Sequence, residues 1–480
     1  MLEHSNVFCR GYATLFPKVF GQGMDMDPVK IGDVTQARRL VEQDKHSHVK
    51  VGVFDIDGVM RGKYMSKAKF LSALETGFGF CDVVLGWDVK DQLYDNAKYT
   101  GWHTGYPDAL VRILPASCRT LPFEDNTLFF LGEFANAAES ICPRALLRGV
   151  IERAKQMGFE VFSGFEYEFF VFNETPHSIR EKHYQNIQPL APSEFGYSVI
   201  RNSAESETYH AILDLSEQMN FPLEGLHEET GPGVLEAALT YSDALDAADK
   251  AALFKTFTKA FLQKQNKMAT FMAKWSPDYP GQSGHIHLSL KDHHGQPVFH
   301  AEDQPGNMSE TMQNFVAGQQ HCMPELLAMI APTVNSYRRL IPGFWAPTEA
   351  SVGIDNRTCA IRIIPGTENS QRLEYRIAAA DANPYVILAA VIASGLWGVE
   401  NKLAIESMVT GNAYEMRFPE HLHLPVTLWD AAQRLKASNM AREYFGDAFV
   451  DHFAASREWE EREFRKHISQ WELERYFEII

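Results

Sequence analysis

The chain has 480 residues, enough for two or three domains around a large core. Its 62 acidic and 45 basic residues leave a formal net charge of −17, so no nucleic-acid surface is expected. The six cysteines show no CxxC pair, which argues against a disulfide framework. No secretory signal or membrane-length apolar run is evident, and we expect a cytoplasmic protein with no membrane contact.

The first part of the chain predicts a small mixed domain. Residues 1–30 lack periodicity and are interpreted as an N-terminal extension. From His48, two β-rich runs joined at Asp57-Gly58 predict a hairpin. Further β-like runs at 82–87, 109–113 and 128–134 complete a predicted domain over residues 31–135.

Residues 136–480 predict a second, larger domain. Pro143 is well placed to start a helix over 144–157. Strands and helices then alternate to the end of the chain, with long helical patterns at 243–271, 309–330, 384–403 and 429–436.

Three of the predicted strands carry polar side chains on one face and apolar side chains on the other. Successive residues of a strand point to opposite faces. The shared polar faces contain Glu166 and Glu168, then His285, His287 and Ser289, then Glu374 and Arg376. A solvated face of an antiparallel sheet also alternates. Polar positions limited to Glu, His, Ser and Arg, without Lys or Thr, favour a functional face instead.

Carboxylates within apolar strands need a cation to neutralise them. Mg²⁺ and Mn²⁺ accept carboxylate oxygens together with an occasional imidazole. The stretch HEETGPGVLE adds two glutamates around a Gly-Pro-Gly bend, although alone such a stretch is usually a surface turn. His227 and Glu229 are interpreted there as solvated neighbours. The predicted ligands of two divalent cations are Glu166, Glu168, Glu228, Glu236, His285 and Glu374.

Four arginines follow within 38 residues, interleaved with apolar strands. Guanidinium groups bind carboxylate and phosphate oxygens bidentately and keep their charge. One such arginine alone would be an ordinary surface residue. The cluster predicts an anion site built from Arg339, Arg357, Arg362 and Arg376.

At these residues the chain resembles the glutamine synthetase family, in particular its bacterial type I branch and the related γ-glutamyl-amine ligases. The resemblance extends from about residue 35 to the terminal WELERYFEI. It implies an α+β fold, with an N-terminal β-grasp-like domain and a C-terminal catalytic domain whose curved antiparallel sheet is flanked by helices. It also implies homo-oligomers built from hexameric rings, usually dodecamers, with active sites between subunits.

The chemistry implied is an ATP-dependent ligation. ATP phosphorylates the γ-carboxylate of L-glutamate, and an amine then displaces phosphate from the acyl phosphate. Two or more Mg²⁺ or Mn²⁺ ions per site neutralise the charge of the transfer. The resemblance gives these roles to the remaining residues: glutamate binding by Gly284, Arg339 and Arg376; nucleotide or phosphate contact by His287, Ser289, Arg357 and Arg362, with Arg357 catalytic; and amine binding and deprotonation by Asp55 from an adjacent subunit. Asp57 is interpreted as a turn residue.

Two departures from the family pattern bear on the substrate. The loop Gly281–Gly284 before His285 is one residue short, which puts the fit of glutamate in doubt. In PGFWAP, Trp345 replaces the flap glutamate of the ammonia-using members.

Several functions remain open at this point. An ammonia-using glutamine synthetase is disfavoured because the flap lacks the carboxylate that attracts ammonium. A non-catalytic relative should have lost metal ligands, and a guanidino kinase would lack the ordered glutamate motifs. The favoured hypothesis is a ligase for a bulky, aniline-like amine held by Phe344 and Trp345, with alkylamines and polyamines as alternatives.

Overall fold

The computed structural model describes residues 26–480. Most of the predicted N-terminal extension, residues 1–25, lies outside the described residues. Among the residues that are described, no helix combines the length and the apolar character needed to cross a bilayer.

The first sheet is formed by residues 48–134. Its hairpin is confirmed: β1 and β2 pair antiparallel from His48 with Ser66 to Phe54 with Met60. Gly58 at the turn has φ of 77°, which a side chain would disfavour. The strand order is β2-β1-β6-β4-β3, β5 also pairs with β6, and β1 runs parallel to β6. The elements are α1 Val34–Gln43, β1 His48–Phe54, β2 Met60–Ser66, α2 Lys67–Thr76, β3 Phe78–Cys81, β4 Asp108–Ile113, β5 Arg119–Leu121 and β6 Thr127–Phe134.

The second sheet has ten strands in the order β16-β13-β14-β15-β12-β7-β9-β8, with β10 and β11 also paired to β7. Most pairs are antiparallel, but β13 runs parallel to β14 and to β16. The strands are β7 Phe159–Phe172, β8 Leu223–Glu228, β9 Val234–Leu239, β10 Ser242–Asp243, β11 Met268–Thr270, β12 Gly284–Asp292, β13 Val352–Ile354, β14 Ile361–Ile364, β15 Arg372–Tyr375 and β16 Met408–Val409.

Helices cover the second sheet and extend to the C-terminus. They are α3 Pro143–Gln156, α4 Pro176–Glu181, α5 Val199–Ala204, α6 Ser206–Gln218, α7 Ala244–Lys264, α8 Glu310–Ile330, α9 Ser336–Arg339, α10 Pro384–Glu400, α11 Leu428–Ala437, α12 Asn439–Phe464 and α13 Gln470–Tyr476. Helices α8 and α10 touch at Gly318 and Gly398, where an added Cβ would lie 2.6 Å from the facing glycine backbone. Their close packing therefore depends on glycine at both positions.

The back of the second sheet carries the predicted apolar residues. Phe165, Tyr167 and Phe169 are at most 2% exposed. Phe169 stacks on Phe271 with ring centres 5.0 Å apart, and Tyr167 stacks on Phe254 of α7. The predicted alternation of β7 is thereby confirmed, and Glu166 and Glu168 are left on the opposite face.

Two predicted elements differ from the structure. The run at 82–87 contains a short 3₁₀ helix, Asp82–Leu85, and Thr100 donates a hydrogen bond to the Asp82 carboxylate beside it. The helix predicted over 243–271 ends at Lys264, because Asn266 adopts a left-handed φ of 57° and the chain then enters β11. The predicted boundary at residue 135 stays a prediction, although a 3₁₀ helix at Asn136–Ile141 separates the two sheets.

Candidate functional site

The polar face of the second sheet gathers side chains from five neighbouring strands. Directly paired residues of antiparallel strands share a face. His285 pairs with Glu166, Glu168 pairs with Glu236, and Glu374 pairs with both His287 and Arg362. Residues 119 positions apart in sequence, such as Glu166 and His285, are thus neighbours because of strand register.

Glu166, Glu236 and His285 form the centre of this face. Each offers one possible ligand atom, and these atoms lie within 4.8 Å of one another. His285 Nδ1 lies 3.4 Å from a Glu166 oxygen and 3.3 Å from a Glu374 oxygen. Glu166, His287 and Glu374 form a second such group. Carboxylate and imidazole donors this close are suited to a divalent cation.

The carboxylates of the face respond differently to their surroundings. Burial raises the pKa of Glu236, and the nearby Glu166 and Glu168 raise it further. Burial also acts to raise the pKa of Glu166, but hydrogen bonds to His285 and His287 outweigh it and lower that pKa. The cluster therefore contains more negative charge than its own histidines neutralise.

Glu374 is the exception, because two arginines contact it. Arg362 donates to one oxygen at 3.0 Å, and Arg376 donates to the other. Burial acts to raise the pKa of Glu374, yet His285 and Arg376 outweigh it and hold the pKa at about 2. A cation at Glu374 would have to share this carboxylate with the two guanidinium groups.

Glu228 does not join the predicted ligand set. It pairs with Leu235, which is buried on the back of the sheet, whereas His227 pairs with Glu236 on the polar face. Its carboxylate is influenced by Arg201 and Glu205, and burial raises its pKa. The side chain is 2% exposed and one oxygen lacks a hydrogen-bond partner within residues 26–480. The register thus directs Glu228 away from the predicted metal site.

Glu229 occupies the place expected for Glu228. Its carboxylate lies 3.0 Å from His227 Nε2, and His227 lies 3.5 Å from Glu236. These three residues form a third group of possible ligand atoms within 4.8 Å. Tyr197 stacks on the His227 ring at 4.5 Å and hydrogen-bonds to Glu229. His227 and Glu229 are two positions apart, so the period of a strand could have assigned both to one face.

Glu168 lies on the polar face but has a partner in the neighbouring loop. One of its oxygens accepts a 2.6 Å hydrogen bond from the backbone N–H of Ser283. The loop also packs closely against Arg339, since a Cβ on Gly281 would lie 2.6 Å from Arg339 Cγ. Gly284 N–H donates to Ala378 O at 2.9 Å. The short loop therefore still reaches the arginine predicted to bind glutamate.

The predicted arginines divide into buried and exposed members. Arg339 is 3% exposed and donates to the carbonyls of Ile377 and Arg376, and burial lowers its pKa to about 10. Arg376 is 7% exposed, and its Nε has no hydrogen-bond partner in the described chain. Arg357 is exposed and free to meet a ligand arriving from solvent. His287 receives a 3.3 Å hydrogen bond from Arg372, and Ser289 follows it on the same face of β12.

Asp55 is buried within its own subunit. It is 1% exposed, and Arg61 Nε binds one of its oxygens at 2.8 Å. The other oxygen accepts from the backbone N–H groups of Asp57 and Val59 at 3.1 and 2.8 Å. Within the subunit, both oxygens of this carboxylate have hydrogen-bond partners in its own hairpin, and its predicted role in amine binding stays a prediction. Asp57 lies in the turn, as interpreted, and its carboxylate also forms an ion pair with Arg457 of α12.

The two flap aromatics also differ from each other. Phe344 lies under Lys274, whose Nζ is 4.5 Å from the ring centre. Trp345 is 62% exposed and has a left-handed φ of 58°. Left-handed backbone is unusual for a bulky residue and occurs at functional sites. Of the two rings, Trp345 is the more exposed.

Comparison with known proteins agrees with this arrangement. The family profile described as glutamine synthetase, catalytic domain, matches residues 140–476. The chain is 44% identical over 449 residues to type-1 glutamine synthetase 2 of Dictyostelium discoideum, covering 92% of this chain and 85% of that protein. It is 36% identical to glutamate–isopropylamine ligase of a Pseudomonas species, covering 93% and 98% of the two chains.

A solved structure described as a GmaS/ADP complex shares the fold. It superposes with a TM-score of 0.80 at 24% identity, covering 92% of this chain and 99% of the other. The α+β fold expected from the sequence is confirmed. With the catalytic-domain match and the relatives named as ligases or synthetases, it follows that the chain belongs to the glutamine synthetase family and is an enzyme of the ligase class.

Proposed function

We propose that the protein joins the γ-carboxylate of L-glutamate to an amine at the expense of ATP, through a γ-glutamyl phosphate. The observation that carries this proposal is the face on which Glu166, Glu236 and His285 converge within 4.8 Å, next to the buried Arg339 and Arg376. A metal-binding face and an adjacent anion site are what phosphoryl transfer to a carboxylate requires.

The donor set fits divalent metal ions. Glu166, Glu229, Glu236, His285 and Glu374 belong to groups of possible ligand atoms within 4.8 Å, and Glu168 pairs with Glu236 on the same face. These six residues would hold two or more Mg²⁺ or Mn²⁺ ions. Burial, together with the nearby Glu166 and Glu168, raises the pKa of Glu236. When bound, such ions would neutralise the phosphate oxygens of ATP and the attacking carboxylate. Glu228 is omitted because of its position on the back of the sheet.

The protein's own groups orient the reactants. Arg339 and Arg376 would bind the carboxylates of glutamate from a buried position, with Gly284 in the adjoining loop. Arg357 and Arg362 would meet the transferring phosphate, and His287 and Ser289 the nucleotide. Holding the γ-carboxylate in line with the terminal phosphate reduces the entropic barrier of the transfer.

For the amine, we propose a bulky apolar compound of the aniline type. Trp345 offers an open aromatic wall where a small ammonium ion would need an anion. Arylamines are largely neutral near pH 7, so they need little help in losing a proton. Alkylamines are the second candidate, favoured by the relative that is named for isopropylamine.

Ring-shaped homo-oligomers remain an expectation of the family resemblance, to be tested by light scattering.

The test is Mg·ATP hydrolysis measured with glutamate and a panel of amines. We expect phosphate release to require both glutamate and an amine, with a higher kcat/KM for aniline-like amines than for methylamine or ammonia. Trp345→Glu should shift the preference toward ammonia by about tenfold or more. Trp102→Glu is the matched control, since Trp102 is 81% exposed in the first domain. A higher kcat/KM for ammonia in the unmodified enzyme would refute the aromatic-amine proposal, and turnover without glutamate would refute the ligase itself.

A further inference from the structure

A loop near the C-terminus is anchored beside the buried arginines. Strand β16 pairs with β13, and the chain then crosses the loop that joins β13 to β14. Asn356 Nδ2 donates to Gly411 O at 2.7 Å, and the N–H of Ala413 donates to Thr358 Oγ1 at 3.0 Å. These two hydrogen bonds fix the position of the next residue, Tyr414.

The hydroxyl of Tyr414 is buried and has no hydrogen-bond partner in the part of the chain that the structure describes. Burial raises the pKa of Tyr414, whereas Arg376 and Arg339 act to lower it, so both guanidinium groups lie within electrostatic reach of the hydroxyl. Arg376 Nε is a second buried donor without an acceptor. Leaving such donors unsatisfied costs about 1–3 kcal/mol each.

No acceptor for the Tyr414 hydroxyl lies within residues 26–480, and the positive charge nearby favours an anion in that place. Arg339 donates through Nη1 and Nη2 to backbone carbonyls, which carry no net charge. Arg376 contacts Glu374 through Nη1 and leaves Nε free. A carboxylate placed here would accept from Tyr414 and Arg376 while neutralising the unpaired Arg339.

We propose that Tyr414 donates its hydroxyl to the α-carboxylate of the amino-acid substrate, between Arg339 and Arg376. This inference rests on the proposed function and adds a substrate-binding residue to it. It makes the C-terminal loop part of the amino-acid site, far in sequence from the arginines.

The first test is Tyr414→Phe, which removes only the hydroxyl. A hydrogen bond to a charged group is worth about 10- to 100-fold in binding. We expect KM for L-glutamate to rise by that factor, while kcat and the KM values for ATP and the amine change less than about threefold. Tyr444→Phe is the matched control, because its hydroxyl contacts Glu400 on the surface.

A second test changes the ligand instead of the protein. 4-Aminobutyrate keeps the γ-carboxylate and the amine but lacks the α-carboxylate, so it should inhibit the original enzyme and Tyr414→Phe equally. The KM for L-glutamate, in contrast, should be higher for Tyr414→Phe than for the original enzyme. Equal KM values for L-glutamate, or a loss that 4-aminobutyrate shares, would overturn the assignment. If the unmodified enzyme shows no glutamate-dependent ATP hydrolysis, the proposed function fails, and the two failures are thereby distinguished.

Discussion

Among the buried carboxylates of residues 26–480, two groups are neutralised in different ways. Where α12 meets the first sheet, Asp57 pairs with Arg457 and Asp55 with Arg61, so each carboxylate has its own guanidinium. On the second sheet, Glu236 lies near Glu166 and Glu229 with only histidines in close contact.

The difference separates structural from functional charge. A buried ion pair that is complete within the chain needs no ligand, and removing either member exposes the cost of burying the other. A carboxylate cluster left incomplete is unfavourable until a cation arrives. We therefore infer that the ion pair of Asp57 and Arg457, called the junction below, holds the first hairpin against α12. The cluster around Glu236, in contrast, would be stabilised by a metal ion. The predictions below test this contrast.

The largest effect is expected at the junction. Arg457→Ala would leave the Asp57 carboxylate buried and unpaired, and should lower the free energy of unfolding by about 3–5 kcal/mol. Urea denaturation of the metal-free protein measures this change. Arg462→Ala is the control, since its pair with Asp95 is exposed and should contribute no more than about 1 kcal/mol. Equal losses in the two variants would contradict a structural role for the buried pair.

The next prediction distinguishes two adjacent glutamates. Metal at a concentration 100 times Kd should stabilise the protein by about 2.7 kcal/mol. Glu229→Gln should lose most of that stabilisation, because Glu229 lies beside Glu236 and His227, whereas Glu228→Gln should keep it. Thermal unfolding with increasing Mn²⁺ measures the shift. If Glu228→Gln loses the shift and Glu229→Gln retains it, then Glu228 binds the metal and Glu229 does not.

This pair also indicates how far the sequence could predict the site. The alternation of side chains along a strand correctly assigned Glu166, Glu168, His285 and Glu374 to one face, because regular strands carry all four. The Gly-Pro-Gly bend after β8 has no such period, so a shift of one residue between Glu228 and Glu229 reversed the face.

The ion pairs at the first sheet could not be predicted for a different reason. Nothing in the local sequence of Asp55 or Asp57 reveals that Arg61 and Arg457 neutralise them, since Arg457 lies 400 residues away. Long-range pairing of this kind depends on how α12 packs against the first hairpin. The role proposed for Tyr414 could not be predicted either, because nothing in the sequence around it shows that its hydroxyl is buried without a partner in the described chain.

A smaller effect should appear as pH dependence at the junction. Burial lowers the pKa of His452 to about 4, and its Nε2 donates to Leu85 O. An unfolded histidine titrates near 6.5, so the folded state binds this proton less readily and stability is lost as pH falls from about 6.5 toward 4. Between pH 7 and pH 5 the loss is about 2 kcal/mol.

His452→Gln should remove that part of the pH dependence. The measurement is urea denaturation at both pH values, with His421→Gln at an exposed histidine as control. A slope unchanged in His452→Gln would show that this histidine does not couple the junction to pH.

The smallest effect has the opposite sign from the first and completes the contrast. Burial and the nearby Glu166 and Glu168 raise the pKa of Glu236, so at pH 7 folding must drive a proton onto a carboxyl group that is ionised in the unfolded chain. Glu236→Gln removes that cost and should stabilise the metal-free protein by about 1 kcal/mol at pH 7, since one unit of pKa corresponds to about 1.4 kcal/mol. Because the folded pKa of Glu236 is raised, ionisation of this group destabilises the fold as pH rises. The advantage of the variant should therefore shrink as pH is lowered.

With saturating Mn²⁺ the order should reverse, because the original protein alone keeps the full ligand set. Glu224→Gln, at an exposed position of β8, is the control and should change neither condition. If Glu236→Gln is less stable than the original protein without metal, the carboxylates of this face are held by the fold as completely as those of the junction, and the proposed metal site loses its physical basis.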